Sequence, residues 1–477
     1  MSWYNEAIFY HIYPLGLTGA PKHNDYSAPV SRLNTLLPWI DHIREIGCTA
    51  LYIGPLFESV GHGYETTDYK KLDSRLGTNE DLKNFVAACH EKEIKVIFDG
   101  VFNHTGRDFF AFKDIQQNRE HSRYLNWYCN VNFGGNTEYN DGFSYENWGG
   151  YNLLVKLNQR NPEVQNYICD VIRFWVSEFD VDGIRLDAAD VLDFDFMRAL
   201  RRTAAEVKED FWLMGEVIHG DYSRWVNDQT LHCVTNYELH KGLYSGHNDH
   251  NYFEIAHTIR RLNDICRGSR LYTFADNHDV ERIYTKLNQK EHLKLVTLLV
   301  YTLYGIPSVY YGSEFGIEGK KEQGSDWNLR PYLELSDFAD RQGIPVFNKI
   351  DAIAACDDKC ETYLRLAAWN QSHTEEKVKL LPTIVAPMTY ANIGYTKSDF
   401  LDTVEKRLGY PMVVKECFGS FGMQVYLAHD RKELEELTIK LGGVPFLYQK
   451  FHEASSGRDV RLQVVGDQVV AAMERYS

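Results

Sequence analysis

From residue 7 to about residue 316, short apolar runs alternate with longer stretches in which apolar side chains recur every three to four positions. The short runs read as buried strands and the long ones as amphipathic helices. The expected strands are 8–13, 50–53, 95–98, 183–186, 212–214, 233–235, 271–274 and 308–311, with helical stretches such as 33–46, 80–92 and 164–179 between them. This alternation predicts an α/β fold, a (β/α)8 TIM barrel of parallel strands. The interval after the third strand breaks the rhythm. Residues 105–150 are rich in Asn, Gly, Tyr and Trp and read as a loop domain inserted over the barrel mouth. The expected divisions are 1–104 and 151–331 for the barrel, 105–150 for the insertion and 332–477 for a tail of different character. The apolar stretch 295–312 is interrupted by Gly305 and Pro307, so it predicts a helix turning into a strand and not a membrane span.

Polar residues gather just past the carboxyl ends of these strands, where barrel active sites are built. In the fourth, Val181-Asp182-Gly183-Ile184-Arg185-Leu186-Asp187, the two-residue period of a strand puts Arg185 and Asp187 on one face. A structural ion pair explains those two alone. The fifth strand, however, delivers Glu216 and the seventh delivers Asp279, so three carboxylates on one rim converge. Repulsion and burial keep one such group protonated beside an ionised one. Glycosidic cleavage uses that combination: an acid for the leaving oxygen and an anion for the oxocarbenium-like carbon. Arg185 is placed to orient Asp187.

Composition narrows the partners. Apolar residues make up 44% and charged residues 25%, the balance of a globular protein, and a net charge of -16 disfavours nucleic acid or an anionic membrane as partner. The nine cysteines are scattered through apolar patterns and read as reduced thiols of a cytoplasmic protein. Cys356 and Cys360, which flank Asp357-Asp358-Lys359, read the same way and not as a metal site. Residues Met1–Glu6 carry no basic region or cleavage pattern, so no export signal is expected.

Four segments carry a resemblance: Asp99-Gly100-Val101-Phe102-Asn103-His104, Gly183-Ile184-Arg185-Leu186-Asp187, Gly215-Glu216-Val217 and Phe274-Ala275-Asp276-Asn277-His278-Asp279. In this order they resemble the signature regions of the α-amylase family, glycoside hydrolase family 13. The resemblance implies a retaining α-glucan hydrolase or transglycosylase with Asp187 as nucleophile, Glu216 as acid/base and Asp279 as transition-state stabiliser. It also implies His104 and His278 as hydrogen-bond partners of the sugar and Tyr64 as its stacking surface. Asp326 and Arg330 are candidates for contact with sugars beyond the cleavage point, or for an ion pair. Leu154-Val155-Lys156-Leu157-Asn158 and Glu216-Val217-Ile218-His219-Gly220 are similar to the neopullulanase, cyclomaltodextrinase and maltogenic amylase branch, which implies short maltodextrins as substrates. Such chemistry requires no cofactor. Calcium is left open, with Asn103 and Asp141 as candidate ligands, and so is the oligomeric state.

The tail resembles a different family. Pro411 to Glu416, Phe418-Gly419-Ser420-Phe421-Gly422-Met423 and Phe446 to Phe451 follow the order of the ATP-grasp ligases. The resemblance implies a partial α+β segment in which Lys359 and Lys415 touch ATP phosphates, Gly419 and Gly422 belong to the covering loop, and Gln449 and Lys450 line the adenine pocket. Arg461 and Arg475 would face an acyl-phosphate site. The Asp and Glu-x-Asn magnesium ligands of that family do not follow by Ser477, so the tail is expected to bind nucleotide without catalysis. Two alternatives stand beside the glycosidase: an ATP-dependent carboxylate–amine ligase fused to a remnant barrel, and a non-catalytic sugar-binding protein.

Overall fold

A computed structural model of the protein describes residues 2–322, 325–336, 358–372, 377–387, 398–418, 424–453, 458–465 and 468–476, the last two stretches by their backbone alone. The chain divides into two units, Met1–Leu335 and Ser336–Ser477.

In the first unit the apolar runs form eight parallel strands: β1 (Phe9–Ile12), β2 (Ala50–Ile53), β3 (Lys95–Gly100), β4 (Gly183–Leu186), β5 (Trp212–Gly215), β6 (Cys233–Val234), β7 (Tyr272–Phe274) and β8 (Ile306–Tyr310). They pair in the order β6-β5-β4-β3-β2-β1-β8-β7. The ring closes through a parallel bridge between Thr235 and Tyr272, with the Asn236 amide donating to the Tyr272 carbonyl at 2.9 Å. The expected barrel is therefore present. Strand boundaries differ from expectation by one or two residues, and β8 opens early, at Ile306 between Gly305 and Pro307, because the Ile306 amide joins the ladder by donating to Leu271 (2.8 Å) before the proline interrupts it.

Two periodicities build two cores. Along the strands, Phe9, Ala50, Tyr52, Ile97, Trp212, Met214 and Tyr272 point inward and fill the barrel, with Phe9 stacked on Trp212 at 5.0 Å. Their neighbours Tyr10, Leu51, Ile53, Val96, Phe98, Ile184 and Leu213 point outward against the helices. The helix Pro162–Phe179 answers with Val164, Ile168, Val171, Ile172, Trp175 and Phe179 on one buried face. Its start is set by Asn161, whose side chain accepts from the Glu163 amide, and by Pro162 in the first turn. Its end is set by Asp180 in the left-handed conformation. A capping box of Thr78 and Asp81 starts the helix Asn79–Glu91.

The insertion after β3 carries a small antiparallel sheet of His104–Gly106, Tyr151–Lys156 and Asn147–Trp148. Its middle strand lies beyond the division expected at residue 150, because Leu154–Lys156 pairs back on His104–Gly106. After β8 come the 3-10 turns Ser313–Phe315 and Trp327–Leu329.

The second unit holds a four-stranded antiparallel sheet ordered Thr383–Val385, Phe446–Lys450, Met412–Glu416, Val425–Ala428. The helices Phe400–Leu408 and Arg431–Lys440 pack on it through Leu401, Val404, Leu408 and Leu434. A hairpin, Arg458–Val465 with Gln468–Tyr476, completes the unit.

Candidate active site

Alternation along β3 and β4 carries acid and base into the barrel mouth. Asp99 and Arg185 are register partners on adjacent parallel strands and share the inward face. Glu216 follows β5 two residues past Met214, the register partner of Arg185. Arg185, only 3% exposed, therefore sits among three carboxylates. Its Nη1 donates to Asp99 (2.9 Å) and Asp187 (2.8 Å), and its Nη2 lies 2.8 Å from Glu216 Oε2. A buried guanidinium costs several kcal/mol unless paired, and here both of its terminal nitrogens are paired.

Just past Asp187 the chain turns at Ala188, which holds φ 46° and sends its amide to Glu216 Oε2 at 3.2 Å. A left-handed alanine costs on the order of 1 kcal/mol. The turn aims a backbone donor at the second carboxylate, which offsets that strain.

Asp279 is held from the other side. Its Oδ1 accepts from Arg330 Nη2 (2.8 Å) and its Oδ2 lies 3.0 Å from His278 Nε2. Tyr64 bonds the same His278 nitrogen and donates to Asp99 at 3.1 Å, so the second, third and seventh strand ends are tied together. Arg330 is itself buried, with its Nε on the His278 carbonyl (3.0 Å). The residue expected to contact sugar or form a surface pair thus grips Asp279, and Asp326 stands 3.6 Å behind it.

The electrostatics follow from this crowding. Burial, then Glu216, Asp99 and Asp279, push the Asp187 carboxyl well above its ordinary range, while Arg185 opposes them. Asp279 is part-exposed, and against the desolvation it does suffer His278 and Arg330 hold it well below the usual carboxylate range. Burial pushes the His104 imidazole down to about 3, so it is neutral at working pH. The His104 ring packs against Trp148 of the inserted sheet, at 5.8 Å.

The candidate calcium ligands are otherwise engaged. Asn103 accepts from Gln159 (3.0 Å) and contacts His104, while Asp141 is paired with Arg107 at 2.6 Å.

In the second unit, Lys415 Nζ donates to Gln449 Oε1 at 2.8 Å, and Lys359 Nζ to the Cys417 carbonyl at 3.3 Å. Burial and then the charge of Lys359 lower the Lys415 ammonium, which places the two expected phosphate lysines within electrostatic reach. Lys450 occupies the end of its strand. Gly419, Gly422 and Cys356 lie outside the described residues, as do the side chains of Arg461 and Arg475. The eight described cysteines are free. Cys360 and Cys417 face each other beside Asp358, their ligand atoms within 4.8 Å of one another, a grouping that sequence spacing does not reveal.

Sequence reasoning missed Tyr237, whose hydroxyl lies 3.1 Å from Glu216 Oε1. Its signal was its place, at a strand's carboxyl end like the other rim residues.

The chain matches the α-amylase catalytic domain over residues 30–379 and belongs to that family. A RimK-like ATP-grasp domain matches residues 374–477. Among relatives, a maltogenic α-amylase of Bacillus acidopullulyticus is 31% identical over 68% of this chain and 59% of its own length. A cyclomaltodextrinase of a Bacillus species is 28% identical over 84% and 72% respectively. The chain thus spans about three fifths of the first of these relatives. A cyclic α-maltosyl-(1→6)-maltose hydrolase from Arthrobacter globiformis, solved with maltose, shares the fold with a TM-score of 0.64 at 24% identity, covering 82% of this chain and 88% of that one. Among the described residues no helix is long and apolar enough to cross a membrane.

Proposed function

We propose that the barrel unit cleaves α-glucosidic bonds in short maltodextrins with retention of configuration. The observation that carries this reading is the convergence of Asp187, Glu216 and Asp279 from three strand ends, two of them on one buried arginine. Asp187 attacks the anomeric carbon as the bond to the leaving oxygen breaks, and Glu216 delivers a proton to that oxygen. A glycosyl ester on Asp187 results. Glu216, now a carboxylate, takes a proton from water or from a sugar hydroxyl, whose oxygen displaces Asp187. Asp279, kept anionic by Arg330 and His278, faces the positive charge that builds on the sugar ring. His104, which is neutral, lines the cleavage point with His278 and Tyr64, the surround that excludes water and orients the ring.

Product analysis with maltotriose, pullulan and cyclodextrin, beside Glu216→Gln, tests the reading. Glucose, maltose or panose from the wild type alone is the expected result. A folded, monodisperse wild type that yields none of them contradicts it.

For the second unit we propose nucleotide binding, supported by the RimK-like match and by the approach of Lys359 to Lys415. An ammonium on a strand and another at the start of a helix, near enough to repel each other, suit a polyphosphate. Calorimetric titration with ATP, against Lys415→Met, checks it: heat from the wild type and none from the variant supports the reading, and no heat from either rejects it.

A further inference from the structure

Tyr237 begins the helix Tyr237–Asn248, three residues after β6, and its ring stands edge-on to Phe274 at 5.1 Å. Its hydroxyl lies 3.1 Å from Glu216 Oε1 and accepts from Asn277 Nδ2, also at 3.1 Å. The orientation of that amide is fixed independently. Asn277 Oδ1 accepts from the backbone amides of Asp279 (2.9 Å) and Val280 (3.1 Å), so Nδ2 must be the end that faces the tyrosine. The phenol oxygen therefore receives a hydrogen from Asn277 and has its own proton left for Glu216. A directional relay runs from the Asp279 turn through Asn277 and Tyr237 to the carboxyl of Glu216.

We propose that Tyr237 is a positioning residue for the acid/base Glu216, an assignment that rests on the glycosidase reading above. Glu216 Oε2 is occupied by Arg185 and by the Ala188 amide, both of which can only donate. Oε1 is then the oxygen that carries the transferable proton, and Tyr237 fixes the plane in which it meets the scissile oxygen. As the proton leaves, the tyrosine hydrogen bond strengthens on the new carboxylate, so it contributes in the transition state more than in the ground state. The charged and titratable groups facing Glu216 are Arg185, Asp187 and Asp190 from β4 and the turn after it, and Tyr237 from the helix after β6.

The test compares two substrates that differ in their need for a proton. Maltotriose requires one on its leaving oxygen, whereas α-maltosyl fluoride expels fluoride without it. Tyr237→Phe keeps the ring and removes only the hydroxyl. Its kcat/KM is expected to fall about ten- to a hundredfold on maltotriose, the range that losing one charge-assisted hydrogen bond covers, and less than about threefold on the fluoride. The alkaline limb of the maltotriose pH profile moves to higher pH, because a donor to the ionised carboxylate has been removed. Incorporating 3-fluorotyrosine at position 237, a more acidic phenol of the same shape, moves that limb to lower pH. Equal losses on both substrates, or a limb that stays in place in both variants, overturn the assignment. A wild type that turns over the fluoride but not maltotriose already lacks a working acid and overturns it as well. Turnover of neither substrate by the wild type rejects the glycosidase reading, and the assignment falls with it.

Discussion

Arg185 decides how the mouth of the barrel is charged. Its guanidinium holds three carboxylates at 2.8–2.9 Å while 3% exposed. Removing it leaves Asp99, Asp187 and Glu216 facing each other without a counter-ion. Arg185→Met is therefore expected to abolish turnover and to lower stability by about 3–5 kcal/mol, the cost of stranding a buried charge. Steady-state kinetics and thermal melts read both effects. Arg330 gives a different expectation, because His278 remains on Asp279 when it is lost. Arg330→Ala should lower kcat about a hundredfold or less, with a KM change of only a few fold, if Asp279 acts on the transition state. At this scale the three carboxylates and Arg185 were legible from strand alternation and position past a strand end, and His104 and His278 from the resemblance alone. The grip of Arg330 on Asp279 and the tyrosine on Glu216 were not. Both depend on side chains 51 and 21 residues away, whose approach no local pattern encodes.

Among the elements, β4 is anchored at both ends by charge. At its amino end Asp182, 1% exposed, accepts from His90 (2.7 Å), Lys95 (3.0 Å) and the Val96 amide (3.0 Å), with Lys208 at 2.9 Å. Against the cost of burial, these partners, His90 first, hold its carboxyl well below the usual range. A carboxyl depressed in the folded state contributes stability that is fully present above its unfolded value of roughly 3.9 and is lost as pH falls through the folded value. Asp182→Asn is expected to lower stability at pH 7 by about 2–3 kcal/mol, since its cationic partners are themselves part-exposed. The gap to wild type should close below about pH 4. Denaturant melts between pH 3 and 7 measure this, and a gap independent of pH would refute the charge-based account. Element identity was legible across the barrel because strands and helices differ in period. The three-stranded sheet of the insertion was less so. Its partner strands are 48 or so residues apart, and Tyr151–Lys156 reads as an ordinary polar-apolar run until it meets His104–Gly106.

For the whole molecule, each unit has a hydrophobic core of its own. Two cores and two proposed ligands imply two unfolding transitions that respond separately. Scanning calorimetry should show a maltodextrin raising one transition and ATP the other, each by about 2.7 kcal/mol when the ligand stands at a hundred times its dissociation constant. A single transition raised by both would contradict this division of labour. The barrel was legible as a whole because eight repeated units announce themselves. The tail was legible mainly by resemblance, since Lys415, Gln449 and Thr383 meet only through antiparallel pairing of strands far apart in the chain.

The central claim is that Asp187 attacks the sugar while Glu216 serves as acid and base, and trapping the intermediate tests it most directly. Glu216→Gln incubated with α-maltosyl fluoride can form the ester but lacks the base that clears it. Peptide mass spectrometry of the quenched sample should find one maltosyl unit on the peptide that contains Asp187, absent from the double variant Asp187→Asn, Glu216→Gln. A maltosyl adduct on any other residue, or fluoride release with inversion and no adduct, would contradict the account.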